Sequence, residues 1–100
     1  ELVIGKQCLL ASEIVIRTGD SHSILTQDGK RCNYAGDIVV GDHVWIGQGV
    51  YILKGVSVGR DAVIGTGAVV TKPVPEGTVA AGNPAKVVKE LITWDSERIL

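Results

Sequence analysis

One hundred residues with a formal net charge of −1, 45% apolar and 21% charged side chains, describe one small globular domain. That balance excludes a broad basic field for nucleic acid, and no run of like charge or long apolar stretch marks a membrane-surface or membrane-spanning segment. Phe and Met are absent, Trp and Tyr occur twice each, and Val, Ile, Ala and Gly are abundant, so the expected core is narrow and β-branched. Cys8 and Cys32 form neither a metal-ligand spacing nor a disulfide framework; with no signal peptide, this predicts a reducing, cytoplasmic setting. The chain starts inside a repeat, at Leu2-Val3-Ile4-Gly5, which predicts a piece of a longer protein with a further N-terminal region.

In chain order, Ile4, Leu10 and Ile16 recur at a period of six, with Cys8 and Ile14 in a small-residue position between them. Leu2 to Ser21 thus reads as roughly one coil of a repeat. At "TGDSHSI", Thr18 to Ile24, the regularity stops, and residues 22–37 read as a loop pushed out of one corner, with Gln27-Asp28-Gly29-Lys30 as its turn. The period resumes at Val40 and continues through Ile46, Ile52, Val58, Ile64 and Val70. Four places after each anchor stands a small or β-branched residue: Val44, Val50, Val56, Ala62, Ala68, Val74. Gly41, Gly47, Gly59 and Gly65 follow their anchors directly, where glycine allows positive φ and close approach between coils. No amphipathic helix has a period of six; short strands separated by tight turns do, each with one inward anchor. Stacked, they form a solenoid whose core is a column of aliphatic side chains. Past Val79 the period is lost. Asn83 as N-cap, Pro84 at the first helical position, and Val87, Val88, Leu91 and Ile92 on one face predict a short helix within a C-terminal tail, 83–100, folded back over the solenoid. Trp94 and Arg98 in that tail carry no readable pattern.

The repeat, the segment Gly41 to Glu90 and the run "EIVIRTGDSHSI" resemble the hexapeptide-repeat, acetyl-CoA-dependent O-acetyltransferases that modify sugars and polysaccharides. The resemblance implies an all-β fold, a left-handed parallel β-helix over residues 1–82 with three hexapeptides per triangular coil, one protruding loop and the short C-terminal helix. It also implies a homotrimer with clefts between subunits, acetyl-CoA as acyl donor, a saccharide acceptor and no metal.

The chemistry calls for a base, because an acceptor hydroxyl is a poor nucleophile near neutral pH. Imidazole, with an ordinary pKa of about 6.5, suits the task. His22 stands where a strand gives way to the loop, at the rim of any cleft there; a surface loop histidine is the plain alternative. The resemblance makes His22 the general base. Asp20, two residues earlier, would share a face with His22 in an extended strand and could orient its ring; equally, it reads as a turn aspartate bonding its own backbone. Glu13 is a second candidate acid. His43, one residue before a core position, points outward as a solvated or interface ring. Trp45 is outward too and, by the resemblance, lines the cleft, with packing against another subunit as the alternative. Backbone groups near Gly47, Gly65 and Gly67 would pair with the pantetheine amides. Thr71, Lys72, Lys86 and Lys89 would meet the phosphates, the last two being three apart on one helical face, unless they are ordinary solvated residues. Cys8 reads as a small core hydrophobe, and no feature activates the loop thiol of Cys32.

Three other readings stand beside this one. "GDSH" resembles a run in serine acetyltransferases. A zinc carbonic anhydrase on the same fold would need three histidines per site where two are present. A scaffold without catalysis would need only the stacking surface.

Overall fold

The structure is a computed structural model that describes residues 1–97 and 99; Arg98 lies outside the described residues. Eleven short strands are found among them. β1 (Leu2–Ile4), β2 (Leu9–Leu10) and β3 (Val15–Ile16) precede the loop; β4 (Ile38–Val40), β5 (Trp45–Ile46) and β6 (Tyr51–Ile52) follow it. Then come β7 (Ser57–Val58), β8 (Val63–Ile64), β9 (Val69–Val70), β10 (Val79–Gly82) and β11 (Ala85–Lys89). Consecutive strands never pair until the last two. β1, β4 and β7 form one parallel sheet, β2, β5, β8 and β10 a second, and β3, β6 and β9 a third. The chain therefore visits three sheets in turn and returns, which is a three-sided solenoid with extents of 56 × 24 × 22 Å.

The register explains why the period of six works. Residues stacked on adjacent coils stand 18 positions apart, as in Val40 on Val58 and Ile46 on Ile64. Across the loop the offset is 36, as in Ile4 on Val40. Every anchor from Val40 to Val70 and every small residue from Val44 to Val74 is buried. Each fully buried aliphatic side chain contributes about 1.5–3 kcal/mol relative to exposure. Outward partners are stacked in the same way: Leu9, Trp45, Val63 and Val79 form a ladder on the second sheet.

Two sets of glycines divide the work at the corners. Left-handed φ angles recur at His43, Gly49, Gly55, Asp61 and Gly67, again at a period of six. The glycines after the anchors serve close approach instead: a Cβ on Gly47 would stand 2.8 Å from the Thr66 nitrogen. A side chain there would push adjacent coils apart.

The expected C-terminal helix does not form. β11 runs antiparallel to β10, closed by a turn at Asn83-Pro84, whose peptide bond is cis. Pro84 sits in a hairpin turn rather than at a helix start, and the β-branched Val87-Val88 extends the sheet beyond the last parallel coil. The remainder of the tail, which passes Trp94, has no helix among the described residues.

Candidate active site

The loop is a hairpin pinned at its base. Gly36 N donates to Thr18 O (2.8 Å), Cys32 N to Ile24 O (2.8 Å), and Thr26 and Lys30 close the turn around Gly29, whose φ is 84°. The predicted turn is thus in place. The loop leaves the third sheet after β3 and enters the first at β4, so it protrudes from the corner between them.

His22 lies on a bend, not on a strand, and Ser21 before it has a left-handed φ of 70°. That geometry removes the shared strand face on which the pairing of Asp20 with the His22 ring was predicted. Among the described residues no hydrogen bond joins the two. Asp20 Oδ2 instead accepts from the Lys54 ammonium of the next coil and from Asn33 Nδ2 (2.8 Å). The Lys54 contact and then the Asn33 amide hold the Asp20 carboxyl below its ordinary value. Glu13 faces Gln48 at 3.5 Å. The His22 side chain is exposed, and its backbone carbonyl accepts from Asn33 Nδ2 (2.7 Å). Asn33 and Lys54 escaped the sequence reading: one is a loop polar residue of ordinary appearance, the other a surface lysine.

Trp45, Lys86 and Lys89 share a different surface. Val79 and Ala81 point to the outward side of β10, and they pair with Lys89 and Lys86 across a β-bulge. Cross-strand partners lie on one face, so both lysines stand outward on the sheet that carries Trp45. The helical spacing expected for them is replaced by a bulged strand with the same outcome. Thr71 and Lys72 are exposed after β9, at the corner of the loop, and so stand apart from them. Gly47, Gly65 and Gly67 occupy the corner between the second and third sheets. Their N–H groups already donate to Ile64, Ala80 and Gln48 carbonyls at 2.8 Å. Any pairing with pantetheine at this corner would therefore use carbonyls or neighbouring backbone groups, not these three N–H groups, which corrects the expected pairing.

His43 is not a solvated ring. Its Nδ1 is 2.7 Å from Asp61 Oδ1, because both residues occupy one corner column, and its ring stacks on Trp94 at 4.0 Å and 8°. Trp94 Nε1 donates to His43 O (2.8 Å), and Trp94 lies tilted against Trp45 at 5.9 Å. The tail thereby crosses the second sheet and leaves a groove of about 440 Å³ lined by Leu9, Trp45, Asp95, Ser96, Glu97 and Ile99. Cys8 packs against the core and donates to Gly41 O at 3.3 Å, as its small-residue position predicts, while Cys32 is exposed.

Fold and corner geometry define a parallel β-solenoid built from hexapeptides. Residues 37–72 match the model of the bacterial transferase hexapeptide family of six repeats. A polysialic acid O-acetyltransferase of Escherichia coli O1:K1 / APEC is 47% identical over 94 residues, 93% of this chain and 31% of the relative. A crystal structure of a polysialic-acid-specific acetyltransferase superposes with a TM-score of 0.94 at 45% identity, covering 96% of this chain and 45% of the other. A galactoside acetyltransferase solved with coenzyme A gives a TM-score of 0.77 at 37% identity, over 90% and 45% of the two chains. The chain thus spans about a third to a half of the length of these relatives.

Proposed function

We propose that the protein transfers an acetyl group from acetyl-CoA to a saccharide hydroxyl by direct attack in a ternary complex. The observation that carries this reading is the bend at His22. It presents an exposed imidazole on a hydrogen-bonded corner of a solenoid whose relatives are acetyltransferases. A ring nitrogen of His22 takes the hydroxyl proton as the oxygen attacks the thioester carbonyl. Collapse of the tetrahedral intermediate breaks the C–S bond, and the imidazolium returns the proton to the departing thiolate. The products are an acetyl ester and free CoA.

The solenoid winds left-handed in this proposal, by analogy with its structural neighbours, and three copies associate. The placement of residues supports association. The His22 corner and the sheet bearing Trp45, Lys86 and Lys89 lie on opposite sides of the three-sided prism, so one cleft holding both requires two chains. Lys86 and Lys89, with Thr71 and Lys72 from the other copy, supply cations for the CoA phosphates. The two free thiols fit a reducing, cytoplasmic setting.

Thiol release from acetyl-CoA, measured with a panel of sugars, aminoglycans and L-serine, tests the reading. Sugar-dependent release that falls at least about 100-fold in His22→Ala, with the acetyl-CoA-induced rise in melting temperature kept, is expected. L-serine as the preferred acceptor would move the protein to the serine acetyltransferase reading. No release and no thermal shift would leave a scaffold. One observation favours a second base: His43 has an acid partner, and among the described residues His22 has none. Trp94 covers one face of that ring, and loss of release in His43→Ala alone, with His22→Ala active, would exchange their roles.

A further inference from the structure

Asn33 is 6% exposed, and among the described residues it and Thr78 are the buried polar ones. A buried carboxamide is costly unless bonded, and every bond this one makes goes to the bend that carries His22. Nδ2 donates to Asp20 Oδ2 (2.8 Å) and to the His22 carbonyl (2.7 Å), which uses both amide protons. Oδ1 accepts from the Ile24 N–H. The partners are residues 20, 22 and 24, so one side chain lines the bend as a neighbouring strand would.

The far end of the network is tied to the next coil. Asp20 Oδ2 also accepts from Lys54, on the corner of the next coil, and Gly36 behind Asn33 approaches Gly55 so closely that a Cβ would stand 2.8 Å from its nitrogen. Ser21, held left-handed at φ 70°, sits between two of the tethered residues. A non-glycine residue in that region is strained, and the tethers on both sides offset the strain. The backbone of His22 is therefore fixed while its ring stays exposed.

We infer that Asn33 is a positioning residue of the transfer reaction: its carboxamide, anchored through Asp20 to Lys54, sets the direction in which the His22 ring meets the acceptor. This rests on His22 being the base. It assigns Asp20 a role through the backbone of the bend, not through the imidazole.

The test compares Asn33→Ala and Asn33→Asp, alone and combined with His22→Ala, in sugar-dependent thiol release. The aspartate keeps an acceptor for Ile24 but loses both donations and sets a carboxylate against Asp20. Displacing a base by about 1 Å costs on the order of 100-fold, so each single variant is expected to lose about 10- to 100-fold in kcat, with KM for acetyl-CoA within about twofold of the parent. In the His22→Ala background, adding either change is expected to cost nothing more, because the effect passes through His22. Unchanged kcat in both variants, or an equal loss with and without His22, would overturn the inference. So would loss of a cooperative unfolding transition in both, since Asn33 would then hold the fold rather than the base. Full activity in His22→Ala would instead sink the assignment of the base itself.

Discussion

If the cleft is completed by two chains, activity can be rebuilt from two inactive ones. The loop corner with His22 and the outward face with Trp45 lie on opposite sides of a molecule whose short dimensions are 24 and 22 Å. A base must come within about 3 Å of the proton it takes, directly or through one water, which no side chain achieves across the prism. One variant lacks His22 (His22→Ala), and the second lacks the opposite face (Trp45→Ala, Lys86→Ala, Lys89→Ala). In assemblies formed at random from equal amounts, a cleft is whole when its corner comes from the second chain and its face from the first. Each condition is met half the time, so about a quarter of all clefts are restored, rising to about a third in the mixed trimers that purification through both tags keeps. Differently tagged copies, co-expressed and purified through both tags, would be assayed for sugar-dependent thiol release against each variant alone. Mixed assemblies no more active than the better parent would refute the two-chain cleft, and with it the placement of His22 against Trp45 of a second copy.

Other expectations follow from the corners and the tail. Gly47→Ala should cost about 1–3 kcal/mol in urea unfolding through overpacking against Thr66, whereas Gly49→Asn, at φ 71° with open space around it, should cost under about 1 kcal/mol; equal losses would undo the division of labour between the glycines. Trp94→Phe removes the hydrogen bond to His43 and should loosen the tail by about 1 kcal/mol, with Trp94→Ala adding about 0.5–1.5 kcal/mol for the lost stacking. Hydrogen exchange of residues 92–96 reads both, and unchanged protection in the alanine variant would show that the tail is held elsewhere. The Asp20 carboxyl, lowered from 3.8 by Lys54 and then Asn33, contributes stability above that value and loses it as pH falls through the lower folded value. The difference in loop exchange between Lys54→Ala and the parent should therefore be full above about pH 4 and fade in stronger acid; a difference independent of pH would mean the ion pair does not hold the bend.

Much of the fold was legible because the solenoid repeats one decision. Each hexad offers one inward anchor, and burial of Val40, Ile46, Ile52, Val58, Ile64 and Val70 follows from their spacing alone. The tail was not legible, because Val87, Val88, Leu91 and Ile92 suit a helix face as well as an edge strand. The choice between them is made by β10, a partner that the local pattern does not reveal. Lys86 and Lys89 reach one face only because a bulge corrects the alternation of the strand.

The candidate site divides along the same line. Contacts that follow the coil could have been found by counting: His43 and Asp61 stand 18 residues apart, one coil, in one corner column, so their hydrogen bond is a property of the repeat. Contacts that depend on the loop or the tail could not. Asn33 reaches Asp20 and His22 across 13 and 11 residues of irregular chain, and Trp94 reaches His43 across 51. A solenoid supplies positions at a regular pitch, and a bend proposed to aim one ring at a substrate needs an orientation which that pitch does not offer. The insertion between β3 and β4 supplies it, using a buried amide to impose on residues 20–24 the order that coil pairing imposes elsewhere. The break in the period and the proposed base therefore coincide for a physical reason: only where the repeat stops can the backbone around His22 be set independently of the coils.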